Sequence, residues 1–184
     1  IDSSILVTMM ILIPSAVGLA VLSYPIMGVL FPQPSTIKMA SMTLTIGAGA
    51  TVFYGLSTLS NGILQAIGAV KIPLHNALKA LIAHIIIIMI LLLILPAANK
   101  EFAPYLLAIG TSLYALQMCI TNQLALKKLV HYQYKIKKLF LIPIISSTIM
   151  GIICYISYQL LFMLTKRVFI PLIISVIIGM VVYF

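Results

Sequence analysis

Acidic residues are nearly missing from this sequence. Asp2 and Glu101 are the two carboxylates in 184 residues, against 11 Lys and Arg. That scarcity excludes chemistry built on clustered carboxylates, and with it most hydrolytic and divalent-metal sites. It also weakens a cation-coupled antiport mechanism, which favours a carboxylate inside the membrane. Cysteine is equally sparse. Cys119 and Cys154 both fall inside apolar runs, with neither the spacing nor the context of a metal site or a disulfide. They read as small buried hydrophobes. No catalytic residue, cofactor or metal is therefore expected. Charged residues of either sign make up 7% of the chain. No amino-terminal signal-peptide pattern is seen.

What is there is apolar. The hydrophobic fraction is 63% and the mean hydropathy +1.25, more than a soluble domain of this length requires. Apolar runs of about 20 residues alternate with short turns, the signature of membrane-spanning helices. The ten-residue alternating segments of a β-barrel are not seen. The expected class is an all-α polytopic bundle of six transmembrane helices. The net charge of +9 would suggest nucleic acid in a soluble protein. Here the basic residues sit mostly in turns, where they set topology and meet anionic lipid, so no nucleic-acid partner is expected.

The stretch Tyr54–Lys79 lies between two long apolar runs, yet carries Asn61, Gln65, Lys71, His75, Asn76 and Lys79. Tyr54, Thr58, Asn61 and Gln65 follow at steps of three or four, which puts them on one helical face. Lipid cannot satisfy such a face, so it should meet protein or water. Gly68 ends that helix, and Pro73 fits the first turn of the next. A helical hairpin with polar legs is expected here.

In chain order, the first helix is expected over about 4–31. Pro14 kinks it, and Gly18 and Pro25 are further weak points. Pro14 and Gly18 are candidate hinges, with a kink that only improves packing as the alternative. The second helix covers about 35–67, with Gly47, Thr51 and Gly55 as a small-residue seam. The third runs over about 74–95. Its Lys79 can snorkel to the interface, and its His84 is either a hydrogen-bonded packing residue or a proton relay. His84 points away from His75, so the two form no metal pair. The fourth, from Pro104 to about residue 126, carries Gly110, Tyr114, Gln117 and Thr121 on one side, as a cavity wall or as interhelical glue. Asn76, Lys79, Tyr114 and Gln117 join the stripe of the second helix as candidate cavity residues.

The segment 127–138 is the strongest charge cluster, with Lys127, Lys128, Lys135, Lys137 and Lys138. By the positive-inside rule this loop is cytoplasmic. Seven basic residues then lie inside and four outside, accounting for all 11. The fifth helix is expected over about 139–164, with Ser147, Gly151, Tyr155 and Tyr158 on one side. The sixth starts near Val168.

Two stretches resemble a known family. ILIPSAVGLAVLSYPIMGVLF, residues 11–31, is similar to the Pro–Gly–Pro helix of bacterial polysaccharide-biosynthesis exporters. GILQAIGAVKIPLHNALKALI, residues 62–82, is similar to their Leu-Gln-Gly…Pro…Lys hairpin. The group resembled is the stage V sporulation protein B-like and MurJ-like (lipid II) flippases, within the multidrug/oligosaccharidyl-lipid/polysaccharide flippase superfamily. Residues 5–126 carry the likeness, and Ala66 departs from it where the family often has Gly. The resemblance implies that these six helices correspond to the last six of fourteen. Residues 1–126 would then be the second half of the C-terminal lobe, and 127–184 a basic loop with two trailing helices. It further implies a multi-pass protein of a bacterial plasma membrane that moves a lipid-linked sugar by alternating access. Its partners would be the bilayer, that substrate and an N-terminal lobe absent from this sequence. The family's phosphate-binding residues lie mainly in that lobe, so substrate contacts are not carried over. A drug antiporter of the same superfamily and a non-transporting scaffold are the competing readings.

Overall fold

The computed structural model describes residues 2–31, 33–94, 102–130 and 137–184. The described residues are helical, without strands. The helices are α1 (Asp2–Val21), α2 (Ser23–Leu30), α3 (Pro34–Ala66), α4 (Lys71–Ile94), α5 (Ala103–Val130), α6 (Ile142–Thr165) and α7 (Phe169–Tyr183). A π-helical turn, Lys137–Leu141, leads into α6. Five helices are long and apolar enough to span a membrane, and α7 is a shorter apolar one. This is a multi-pass helical membrane bundle.

The principal packing partners follow one path, α7–α6–α1–α3–α5–α4, with the short α2 lying on α3. The helices thus form a row rather than a closed ring. The core cluster sits in the middle of the row, where Ile5, Met9 and Ile13 of α1 meet Leu56 of α3, Cys119 of α5 and Leu139 of the π turn. α4 ends the row and leaves Leu78, Leu81, Ile85, Met89 and Leu93 exposed, the surface expected to face lipid. The expected hairpin of the second and third helices is therefore open. α4 makes little contact with α3 and packs instead along α5.

The expected first helix is two helices. It stays helical through Pro14 and Gly18 and breaks at Leu22, whose φ of −97° and ψ of 14° leave the helical range. Pro25 supplies the physical reason. It has no N–H to offer the carbonyl of Val21, and its ring crowds that carbonyl. Hydrogen bonds from Leu22 N–H to Gly18 and from Ile26 N–H to Leu22 flank the break. The elbow is tied to α3 by a bond of 2.9 Å from the Thr45 hydroxyl to the Ser23 hydroxyl.

α3 ends as expected at Gly68, whose φ is +81°. Ala69 N–H reaches Leu64 O, and Gly68 N–H reaches Gln65 O. These paired bonds satisfy carbonyls that the helix end would otherwise leave open, and glycine adopts the required left-handed conformation at no steric cost.

Small residues set the close approaches. At Gly55 a side chain would run into Leu12 of α1. The Gly47 end of the expected seam meets nothing within 4 Å and stays open. α7 lies against α6 through Pro171, Ser175 and Gly179, all buried and four residues apart. A side chain at Gly179 would strike Cys154 of α6, whose thiol donates to the Ser175 carbonyl at 3.2 Å. On α6 the inward face is Ser147, Met150, Gly151, Cys154 and Tyr158. Tyr155, expected on that side, is 51% exposed. Position 155 lies one residue beyond Cys154, about 100° further around the helix.

Candidate functional site

The polar groups of α3, α4 and α5 converge on Asn122, which is fully buried in α5. Its side-chain amide donates to the Ser57 hydroxyl at 3.0 Å and to the Asn61 carbonyl oxygen at 2.7 Å. Its own carbonyl oxygen accepts from Asn76 of α4 at 2.9 Å. One side chain thereby joins three helices, with both amide hydrogens and its oxygen engaged. Next to it, Gln123 donates to the Ser60 hydroxyl at 2.8 Å, and Ser60 in turn donates to Leu56 O. The Gln123 carbonyl oxygen is enclosed without a donor among the described residues.

About two turns along α5, a second connection crosses the same three helices. His84 of α4 donates through Nδ1 to Gly110 O at 3.1 Å. Its ring lies 5.4 Å from Tyr114, and Tyr114 lies 6.0 Å from Tyr54 of α3. Gly110 leaves room for α4 to approach, since a side chain there would press on Ile88 and stand in contact with the His84 ring. The structure thus places His84 as a hydrogen-bonded packing residue. Among the described residues no group of three potential metal ligands forms.

The expected cavity residues divide into two sets. Asn61, Asn76 and Tyr114 are half-buried and face partner helices through the contacts above. Gln117 is half-buried on the same side of α5 as Tyr114, and Gly110 lies under α4. The stripe on α5 is therefore largely a helix interface. Tyr54, Thr58 and Gln65 are exposed, as is Lys79 on α4. Thr58 spends its hydrogen on the carbonyl of Tyr54. These side chains lie on α3 away from its buried positions, Leu56, Ser57, Ser60 and Leu64.

Along the other half of α3, a groove of about 700 Å³ opens between α2, α3 and α5. Thr36, Thr43, Thr51, Tyr54 and Thr111 line it, with Phe31 and Met27. A separate, mainly apolar cavity of about 490 Å³ lies between α1, α2, α6 and α7, beside Pro14, Gly18 and Gly179.

Lys127 and Lys128 are exposed in the last turn of α5. Lys137 and Lys138 open the π turn, and Lys135 lies outside the described residues. Packing of Leu139 on Ile5 and Met9 brings this turn to the same end of the bundle as the start of α1. Asn122 and Gln123 were the residues that sequence reasoning missed. The signal for them was available: two adjacent amides beyond the polar stripe of this helix, about one turn before its basic end.

Comparison with protein-family models, with curated proteins and with solved structures returned no match.

Proposed function

We propose that this chain is part of a membrane flippase or exporter that moves a lipid-linked sugar across a bacterial plasma membrane. The observation that carries the reading is the exposed, uncharged polar face of α3. Tyr54, Thr58 and Gln65 lie on a helix long enough to span, unburied by the row to which the helix belongs. Thr58 has its hydrogen on the Tyr54 carbonyl, but the Tyr54 hydroxyl and the Gln65 amide in that position need water or further protein, because hydrocarbon cannot satisfy them. A path shared with a second lobe supplies both. The sequence resemblance of residues 11–31 and 62–82 supports the same class, and alternating access between two lobes is the mechanism it implies. In that reading the lysines of 127–138 face the cytoplasm. By the same resemblance, the substrate's anionic contacts lie mainly in the other lobe.

The Asn122 cluster favours a second reading for part of the stripe. Amides that hydrogen-bond across helices are glue, and a non-transporting scaffold needs nothing more. Asn61 and Asn76 belong to that set, so their loss is not a test of transport. Thr58 and Gln65 are the discriminating positions. In the full-length protein, Thr58→Leu and Gln65→Leu should cut transport of a labelled lipid-linked sugar at least ten-fold while leaving expression and stability near the parent. Single cysteines at 54, 58 and 65 should react with a water-soluble maleimide. Unreactive cysteines together with intact transport would leave the scaffold reading in place.

A further inference from the structure

One strip of α4 changes character along its length. Lys71, His75 and Lys79 are exposed and stand four residues apart. Ile82, Ile86 and Leu93, also exposed, continue the line at steps of three, four and seven. Such spacing keeps all six on one face of the helix. The opposite face packs, with Pro73 and Ala80 buried and Asn76 and His84 bonded to α5. Because α4 ends the row, the strip looks away from the bundle. Three polar heads cover about 12 Å of the helix and the aliphatic side chains about 17 Å, at 1.5 Å per residue.

A hydrocarbon core takes about 20 helical residues. Counted back from Ile94, the last residue of α4, that length places its edge near His75, with Lys79 about one turn inside. A lysine there reaches back to the headgroups along its own stem. Helical side chains lean toward the N-terminal end, which here is the headgroup end. His75 is fixed against the first turn by its Nδ1–H, donated to Lys71 O at 2.7 Å. Neither α4 nor its neighbour α5 carries a carboxylate, the chain's two being Asp2 and Glu101. These helices therefore offer the lysines no counter-ion. A soluble acidic partner meets Lys71 but cannot follow a strip that continues beneath the headgroups. A phospholipid has both parts, a phosphate above and an acyl chain below. A net negative head is the one that ammonium groups hold by charge-assisted bonds without a competing cation of its own.

We propose that this strip of α4 is a binding site for one anionic phospholipid of the leaflet at the Lys71 end. Its phosphate lies between Lys71 and Lys79, and an acyl chain runs along Ile82 and Ile86. The site does not depend on the flippase reading. The chain has no tryptophan, so Ile82→Trp supplies a single reporter on the strip. Ile177→Trp, on α7 at the far end of the row, is a reference at a similarly exposed position. Each variant is reconstituted in phosphatidylcholine vesicles containing phosphatidylglycerol, with bromine on the acyl chains of one lipid or the other. Quenching of the tryptophan then gives the preference for the anionic lipid at each position. At 82 that preference should be at least about five-fold, what one basic residue gains near an anionic surface, and at 177 near unity. Lys71→Gln with Lys79→Gln should bring the value at 82 down to that at 177. Lys127→Gln with Lys128→Gln removes the same charge from the exposed end of α5 and should leave most of the preference in place. Ile86→Trp gives an independent reading should Ile82→Trp not assemble. A preference on the strip no greater than at 177, or a loss with the α5 pair as large as with the α4 pair, would overturn the site and leave only a diffuse surface charge.

Discussion

Replacing Asn122 with Leu should loosen three helices at once. The two side chains are close in size, so the loss is of hydrogen bonds rather than volume. Three bonds disappear, to Ser57, Asn61 and Asn76. Interhelical hydrogen bonds in membranes average about 0.6 kcal/mol and reach about 1.7, so the direct loss is roughly 2 kcal/mol. The stranded partners add to it where water cannot reach them, at about 1–3 kcal/mol for a buried orphan. Asn61 and Asn76 are half-exposed and can recover part of this, whereas Ser57 is buried at 2% exposure. The expected total is about 2–4 kcal/mol. Reversible unfolding in mixed micelles by rising dodecyl sulfate measures it. Asn76→Ala alone removes one bond and should cost about 1 kcal/mol. A double-mutant cycle between positions 76 and 122 should then give a coupling of at least about 0.5 kcal/mol. A stability of Asn122→Leu within about 0.5 kcal/mol of the parent would refute the view that this amide holds the three helices together.

Two further expectations concern close approaches. Gly55→Val should force Leu12 of α1 aside and cost about 1–3 kcal/mol, with Leu12→Ala restoring much of the loss; full stability in the single variant would show that the α1–α3 contact is looser than drawn. Gly179→Val should lift α7 from α6, seen as faster maleimide labelling of Cys154, now 3% exposed, with Cys119 as the unmoved internal control; unchanged labelling of Cys154 would refute the seam.

Helix positions were legible because lipid imposes a simple requirement on length and polarity. The ends of α3, α4 and α6 fall within a few residues of where Pro34, Gly68, Pro73 and Thr165 suggest. The partners of each helix were not legible. Period alone puts Tyr54, Thr58, Asn61 and Gln65 on one face, yet Asn61 finds an amide across the interface while the other three stay exposed. A helical face is wide, and which part of it a neighbour covers depends on crossing geometry that spacing does not encode. Asn122 escaped notice for a related reason, since a single buried amide makes no stripe. Proline was easier to see than to place. Three candidate weak points were read in the first helix, and the break came near Pro25, where the elbow also gains the Ser23–Thr45 bond.

The row of helices also fixes an order of events during synthesis. α3 leaves the ribosome carrying Asn61, and α4 follows with Asn76, but the side chain that joins them sits 46 residues beyond Asn76, in α5. Until α5 enters the bilayer beside α3, neither amide has its partner. In the finished bundle α4 lies mainly along α5 and touches α3 little, so the pairing of Asn61 and Asn76 through Asn122 is completed only once the third of these helices is in place.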